Sequence, residues 1–278
     1  MSNFQAIMNK LECSHFELGT TLTQEQGDFF KKQGVIIFRN FIPRKTVDLF
    51  LEEIKKIDKD WINSGVTKIN GIPLKFGEDE SGHKTVQRMC FLNKYSSHFE
   101  ILLRDARLQA LTGLLVPYEG RISEDEKDGL ILNNYVQFPN SSFTQMGWHT
   151  DSPRDIFMGQ KIMPMLNVGI HLDDCPFESG GLRVIPGTHR QGMFKLLFHK
   201  KYFVDHNPDP REVGFDIQAG DLTVHDGRLW HRAQKSPFTG EKSRRRVMYV
   251  PIITGKYMPK SEKSATPFYH RFASKVQN

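Results

Sequence analysis

Beyond about residue 130 the chain becomes a series of short apolar runs separated by clusters of Gly, Pro, Asn and Asp, and this texture constrains the fold most. The runs are Leu130–Phe138, Met165–His171, Gly181–Ile185, Asp221–His225 and Val247–Ile253. Each is too short for a typical helix and is bounded by turn residues, so each reads as a strand. Their number and spacing predict a β-sandwich or barrel. The first third reads differently, as helices with one strand. Thr23-Gln-Glu-Gln26 fits a capping box and Gly34 stands where that helix should stop, which predicts a helix over about 24–33. Val35–Phe38 is a short apolar strand. After Pro43, the apolar positions Val47, Phe50, Leu51 and Ile54 predict a helix over about 44–60, and Phe99, Leu102, Leu103, Ala106 and Leu111 predict another over 97–115. Two poorly patterned stretches, about 190–215 and 254–270, read as loops, the usual carriers of specificity beside a rigid scaffold.

At 278 residues the chain is long enough for one large domain or two small ones. Its 38% hydrophobic and 25% charged residues are those of a globular protein, which argues against a disordered or fibrous chain. No apolar run approaches the roughly 18 residues of a membrane span, and the first ten residues lack a secretory pattern, so a cytoplasmic protein is expected. Cys13, Cys90 and Cys175 are far apart and form no C-x-x-C pair, so they read as free thiols. The net charge of +6 favours anionic partners. It does not by itself indicate nucleic acid, because the Lys and Arg residues are mostly interleaved with acids, as in solvated helix faces.

Trp148-His149-Thr150-Asp151 places an imidazole and a carboxylate two residues apart. On an extended chain both would point to one side, where they could hold one ion. A distant third ligand would complete the 2-His-1-carboxylate face of non-haem Fe(II), and His231, directly after the strand-like segment 220–230, is a candidate. The spacing leaves rivals open. His171-Leu-Asp173 is a second H-x-D whose plainer reading is a strand end entering a turn, and His225 is an equally plausible distal histidine.

Four segments in order carry a resemblance that decides among these. Leu22-Thr-Gln-Glu-Gln with Gly34–Phe41, then Gly180–Arg190 containing Ile185-Pro-Gly-Thr-His, then Gly220–His231, then Arg244–Tyr249 resemble the phytanoyl-CoA dioxygenase family over roughly residues 20–255. The resemblance implies that His149, Asp151 and His231 are the metal ligands, that His171-Leu-Asp173 is the strand end before the Gly-rich segment, and that His225 is a non-ligand strand position. It also implies that an arginine a dozen or so residues after the distal histidine binds the far carboxylate of 2-oxoglutarate, a task suited to the planar guanidinium fork. Strand alternation puts Arg244 and Arg246 on one face and Arg245 on the other, so only one face can enter the barrel. The family pattern matches Arg246-Val-Met-Tyr249 best, which makes Arg246 the expected anchor and Arg244 the second choice. Asn133 and Gln87 fall where relatives place other cosubstrate-contacting groups. His189 reads as part of a structural Pro-Gly turn. Relatives often carry Trp at the position of Gly169, so a pocket that is wider, or filled from elsewhere, is expected.

The expected fold is therefore mainly β with α: a double-stranded β-helix, jelly-roll and cupin-like, buttressed by N-terminal helices. A single oxygenase-like domain is expected over 1–278, with a mostly helical buttress to residue 125, the jelly-roll core over 126–255 and a C-terminal tail over 256–278. The resemblance implies a dioxygenase using Fe(II), 2-oxoglutarate as cosubstrate and O₂ to hydroxylate an unactivated C–H of a small, possibly anionic substrate, with release of succinate and CO₂. A carboxylate at position 151 favours hydroxylation over halogenation, since halogenating relatives have a small residue there. Two alternatives remain at this level. One is a non-catalytic jelly-roll module that binds metal or ligand. The other is a nucleobase demethylase, although no nucleic acid or membrane partner is expected.

Overall fold

The computed structural model describes residues 16–139, 141, 143–152, 155 and 161–267. Helix α1, Gln24–Gln33, is fixed at both ends by its sequence. The Gln26 N–H donates to Thr23 Oγ1 and the Thr23 N–H to Gln26 Oε1, which closes the capping box. Gly34 ends the helix at φ +76°, donating to the Phe30 carbonyl. A side chain at 34 would also strike the His189 ring, whose Nδ1 lies 2.3 Å from where a Cβ would stand. His189 thus serves the turn expected of it, and its Nε2 donates to the Lys31 carbonyl. Helix α2, Arg44–Asn63, buries Val47, Phe50, Ile54, Ile57 and Trp61 along one face.

The single helix expected over 97–115 is instead three pieces: α3, Ser97–Leu103; α4, Ala106–Ala110; and a 3₁₀ turn, Leu111–Leu115. The break is Asp105, an extended residue whose carboxylate accepts the Arg107 N–H and starts a new helix. The N-terminal part, to residue 125, also holds more strands than the one expected. Besides β1, Val35–Phe38, it contains β2, Lys68–Ile69; β3, Ile72–Pro73; β4, Lys75–Glu78; β5, Lys84–Met89; and β6, Arg121–Ile122.

The remaining strands are β7, Ile131–Gln137; β8, Met146–His149; β9, Met165–His171; β10, Gly181–Val184; β11, Val213–Gly214; β12, Leu222–Asp226; β13, His231–Gln234; and β14, Gly240–Ile253. They form two antiparallel sheets in the jelly-roll manner. The larger has the order β1-β12-β9-β14-β7-β5-β4, with β6 also paired to β14, and the smaller has the order β11-β10-β13-β8. Alternation divides the larger sheet into two chemistries. Met248, Val250 and Ile252 join Leu166, Val168, Ile170, Leu222 and Val224 in one core with Phe30, Phe50 and Phe99 of the helices. Residues of the opposite parity on β14, namely Arg245, Val247, Tyr249 and Pro251, line a cavity shared with the smaller sheet. Among the described residues no helix is long and apolar enough to cross a membrane. Cys90 and Cys175 are buried free thiols, as expected, while Cys13 lies outside the described residues.

Candidate metal centre

Both candidate histidines follow a tryptophan, and alternation on the small sheet explains why. Trp148 and Trp230 are fully buried in an apolar cluster with Ile185, which turns His149 and His231 to the other face. His149 and His231 are direct partners across β8 and β13. Their Nδ1 atoms donate to the carbonyls of Gly147 and Leu229 at 2.8 and 2.9 Å. Those bonds fix the tautomer and leave both Nε2 lone pairs bare. One ligand atom from each of His149, Asp151 and His231 lies within 4.8 Å of the others.

Burial lowers the proton affinity of both histidines, that of His231 well below the ordinary value, which favours their neutral forms. Burial alone would raise Asp151, but His231 and the neighbouring His225 and His149 hold its carboxyl well below the usual range. Two neutral imidazoles and one carboxylate are the donor set for a divalent transition ion. The 149–151 turn is pinned by backbone bonds, since the N–H groups of Asp151 and Ser152 both donate to the Gly227 carbonyl. A side chain at 227 would run into that of Met165 and require it to shift.

Two further residues support the three, of which the sequence had marked only His225, as a rival ligand. Asn167 Nδ2 donates to Asp151 Oδ2 at 3.3 Å. His225, the rival distal ligand, lies behind His231 with ring centres 4.3 Å apart and its Nε2 3.7 Å from Asp151 Oδ2, outside the group of three. The only signal for Asn167 was strand parity: it and His225 are register partners on one sheet face. The second H-x-D is divided between other tasks. His171 bonds Thr223 Oγ1, while Asp173 receives the Arg246 side chain.

The cavity, about 250 Å³, contains the three candidate ligands, Asn133 and Arg245. Arg246, expected as the carboxylate anchor, is placed otherwise. It borders the cavity, yet its Nε and Nη2 fork Asp173 at 2.9 and 2.6 Å, and it shares its strand parity with the core-facing Met248 and Val250. Arg244 is likewise forked by Glu241. Arg245 has the inward parity, at 5% exposure. Its guanidinium donates only to the carbonyls of Gln234, Thr144 and Ser243, with no carboxylate partner among the described residues. Gln87 also departs from expectation. It is the extra residue of a β-bulge between β4 and β5, laid over Gly77 and reaching Ser141 Oγ, and it does not line the cavity. Asn133 does line it, with a buried Oδ1 that has no partner. The space expected beside Gly169 is filled from elsewhere: a Cβ there would meet Thr223, Tyr249 and Val247 at 2.9–3.1 Å.

These residues fit a divalent iron ion and a dicarboxylate. Bare imidazole lone pairs converge on an ionised carboxylate, and the same cavity offers a guanidinium with no carboxylate partner among the described residues. Solved structures share the fold at low identity. HygX from Streptomyces hygroscopicus, with nickel and 2-oxoglutarate bound, is 17% identical at a TM-score of 0.60, covering 86% of this chain and 89% of its own. SnoK, a non-heme alpha ketoglutarate dependent carbocyclase from nogalamycin biosynthesis, is 16% identical at 0.61, covering 90% and 91%. EvdO2 from Micromonospora carbonacea var. aurantiaca, complexed with 2-oxoglutarate, is 15% identical at 0.60, covering 87% and 96%. No curated protein matches the chain significantly. The sequence pattern of phytanoyl-CoA dioxygenase (PhyH) matches residues 30–245, and the chain belongs to that family.

Proposed function

We propose that this protein is a non-haem Fe(II)- and 2-oxoglutarate-dependent dioxygenase that hydroxylates an unactivated C–H of a small organic substrate. The observation that carries this reading is the meeting of His149, Asp151 and His231 within 4.8 Å, in a cavity that also presents Arg245. His149 and His231 would bind iron through Nε2, their Nδ1 protons held on backbone carbonyls, and Asp151 would supply the anionic ligand. Arg245 would bind the far carboxylate of 2-oxoglutarate, replacing Arg246 in that role, with the Asn133 amide as a further polar contact. When bound, iron, 2-oxoglutarate and O₂ supply the oxidising power for C–H cleavage, coupled to loss of CO₂ and formation of succinate. The protein's part is to orient the groups and exclude water. Tyr135, Phe143 and Phe203 line the cavity, and the Phe203 ring stacks on His149 at 4.8 Å.

A substrate screen that follows succinate formation and ¹⁸O₂ incorporation tests this proposal. One labelled oxygen in succinate and one in the product is expected. Because the neighbours include a carbocyclase and an epimerase, an oxidised or inverted product without the label would replace hydroxylation and keep the cofactor assignment. Absence of 2-oxoglutarate turnover with every compound would favour the non-catalytic binding module.

A further inference from the structure

The charges around the cavity do not balance once their partners are assigned. Arg88 pairs with Asp128 at 2.6 Å, Arg246 with Asp173 at 2.6 Å, and Arg232 with Glu212 at 2.8 Å. Among the described residues this leaves two cavity-lining cations without a carboxylate, Arg245 and Lys75. A 2-oxoglutarate molecule held between the metal and Arg245 has both carboxylates satisfied, so Lys75 is left for a different anion.

Position separates the two cations. Lys75 lies on β4, in a row of register partners that crosses the sheet through Arg88, Asn133, Val247 and His171. Every member of that row lines the cavity. Between the cations is a stacked aromatic pair, Tyr135 and Phe143, with ring centres 4.5 Å apart. Arg245 caps the Tyr135 end, its Cζ 5.6 Å from that ring, and the Lys75 ammonium caps the Phe143 end at 5.0 Å. We propose that Lys75 anchors an oxyanion, a carboxylate or a phosphate, carried by the primary substrate, whose apolar part rests on Phe143. This deepens the oxygenase reading and rests on it. Burial, helped by the adjacent Arg88, brings the lone ammonium to about 7. An anion beside it would restore its charge and remove that cost.

Calorimetry on anaerobic protein loaded with Fe(II) and 2-oxoglutarate tests the assignment. The probes are small carboxylates, phosphate monoesters, and their neutral amide or alcohol counterparts. At least one anionic class is expected to bind about tenfold or more tightly than its neutral counterpart. Lys75→Met should remove that preference, Lys75→Arg should keep most of it, and the 2-oxoglutarate titration should keep its midpoint in both. The better of the carboxylate and phosphate arms identifies the group. Equal binding of anions and neutrals, no anion that binds, or anion binding indifferent to Lys75→Met would overturn the proposal. So would a Lys75→Met variant that needs as much extra 2-oxoglutarate as Arg245→Met, since Lys75 would then serve the cosubstrate. If 2-oxoglutarate does not bind even the parent protein, the oxygenase reading fails, while Lys75-dependent anion binding stays measurable on metal-free protein.

Discussion

His149 and His231 can act as ligands only while their Nε2 atoms are bare, and two backbone carbonyls hold them so. On the proposed reading a single buried guanidinium, that of Arg245, holds the cosubstrate end. Arg245→Met should raise the 2-oxoglutarate concentration needed for half-saturation about 10- to 100-fold, the cost of losing charged hydrogen bonds. Arg246→Met should leave it nearly unchanged and lower stability instead, by freeing Asp173; titration and denaturant unfolding of the two variants separate these outcomes. His171 gives a pH signature. Burial lowers it to about 4, opposed by Asp221 and Asp173. Between its unfolded value near 6.5 and that figure, the unfolded chain binds a proton that the native protein does not. Stability should therefore fall as pH drops from about 6.5 to 4, by roughly 3 kcal/mol from this residue. Denaturant unfolding across that range should show a shallower acid limb in His171→Asn. The three candidate ligands were legible because the family resemblance chose among two H-x-D pairs and two distal histidines. The proposed anchor was not, since three adjacent arginines satisfy the same pattern and only the inward parity of Arg245 separates them.

Elements were legible where one physical signal dominated. The capping box and Gly34 mark α1 at both ends, and Thr23→Ala should cost about 1 kcal/mol in unfolding free energy, measured by urea denaturation. An unchanged value would mean that the cap is not holding the helix. Met165–His171 was readable as a strand because its apolar run is bounded by turns. Asp105 divided the third helix because a capping side chain outweighed a continuing apolar period. Strands β4 and β5 carry little sequence signal for another reason. Lys75-Phe-Gly-Glu78 and Lys84-Thr-Val-Gln-Arg-Met89 have few apolar residues, and a bulge interrupts their pairing. Their alternation is set by a polar cavity on one side, so a search for hydrophobic periodicity passes over them. The same strands bring Lys75 and Arg88 to the cavity wall.

Across the molecule, strands from both ends of the sequence meet in one sheet. β1 pairs with β12, and β5 with β7, so the helices and the cavity share the two faces of a common layer. The net charge of +6 acquires a local meaning, because two cations inside the cavity lack acidic partners among the described residues. A metal that binds only the folded chain should stabilise it by about 2.7 kcal/mol at a hundredfold excess over its Kd. Thermal unfolding should show that rise with Fe(II) under anaerobic conditions, and lose it in Asp151→Ala. The most direct test of the central claim is an anaerobic titration of the Fe(II)-loaded protein with 2-oxoglutarate, following the metal-to-ligand charge-transfer band. A band that saturates at one 2-oxoglutarate per chain and vanishes in His231→Ala is the predicted result. No band in the parent protein, or an undiminished one in His231→Ala, would contradict it.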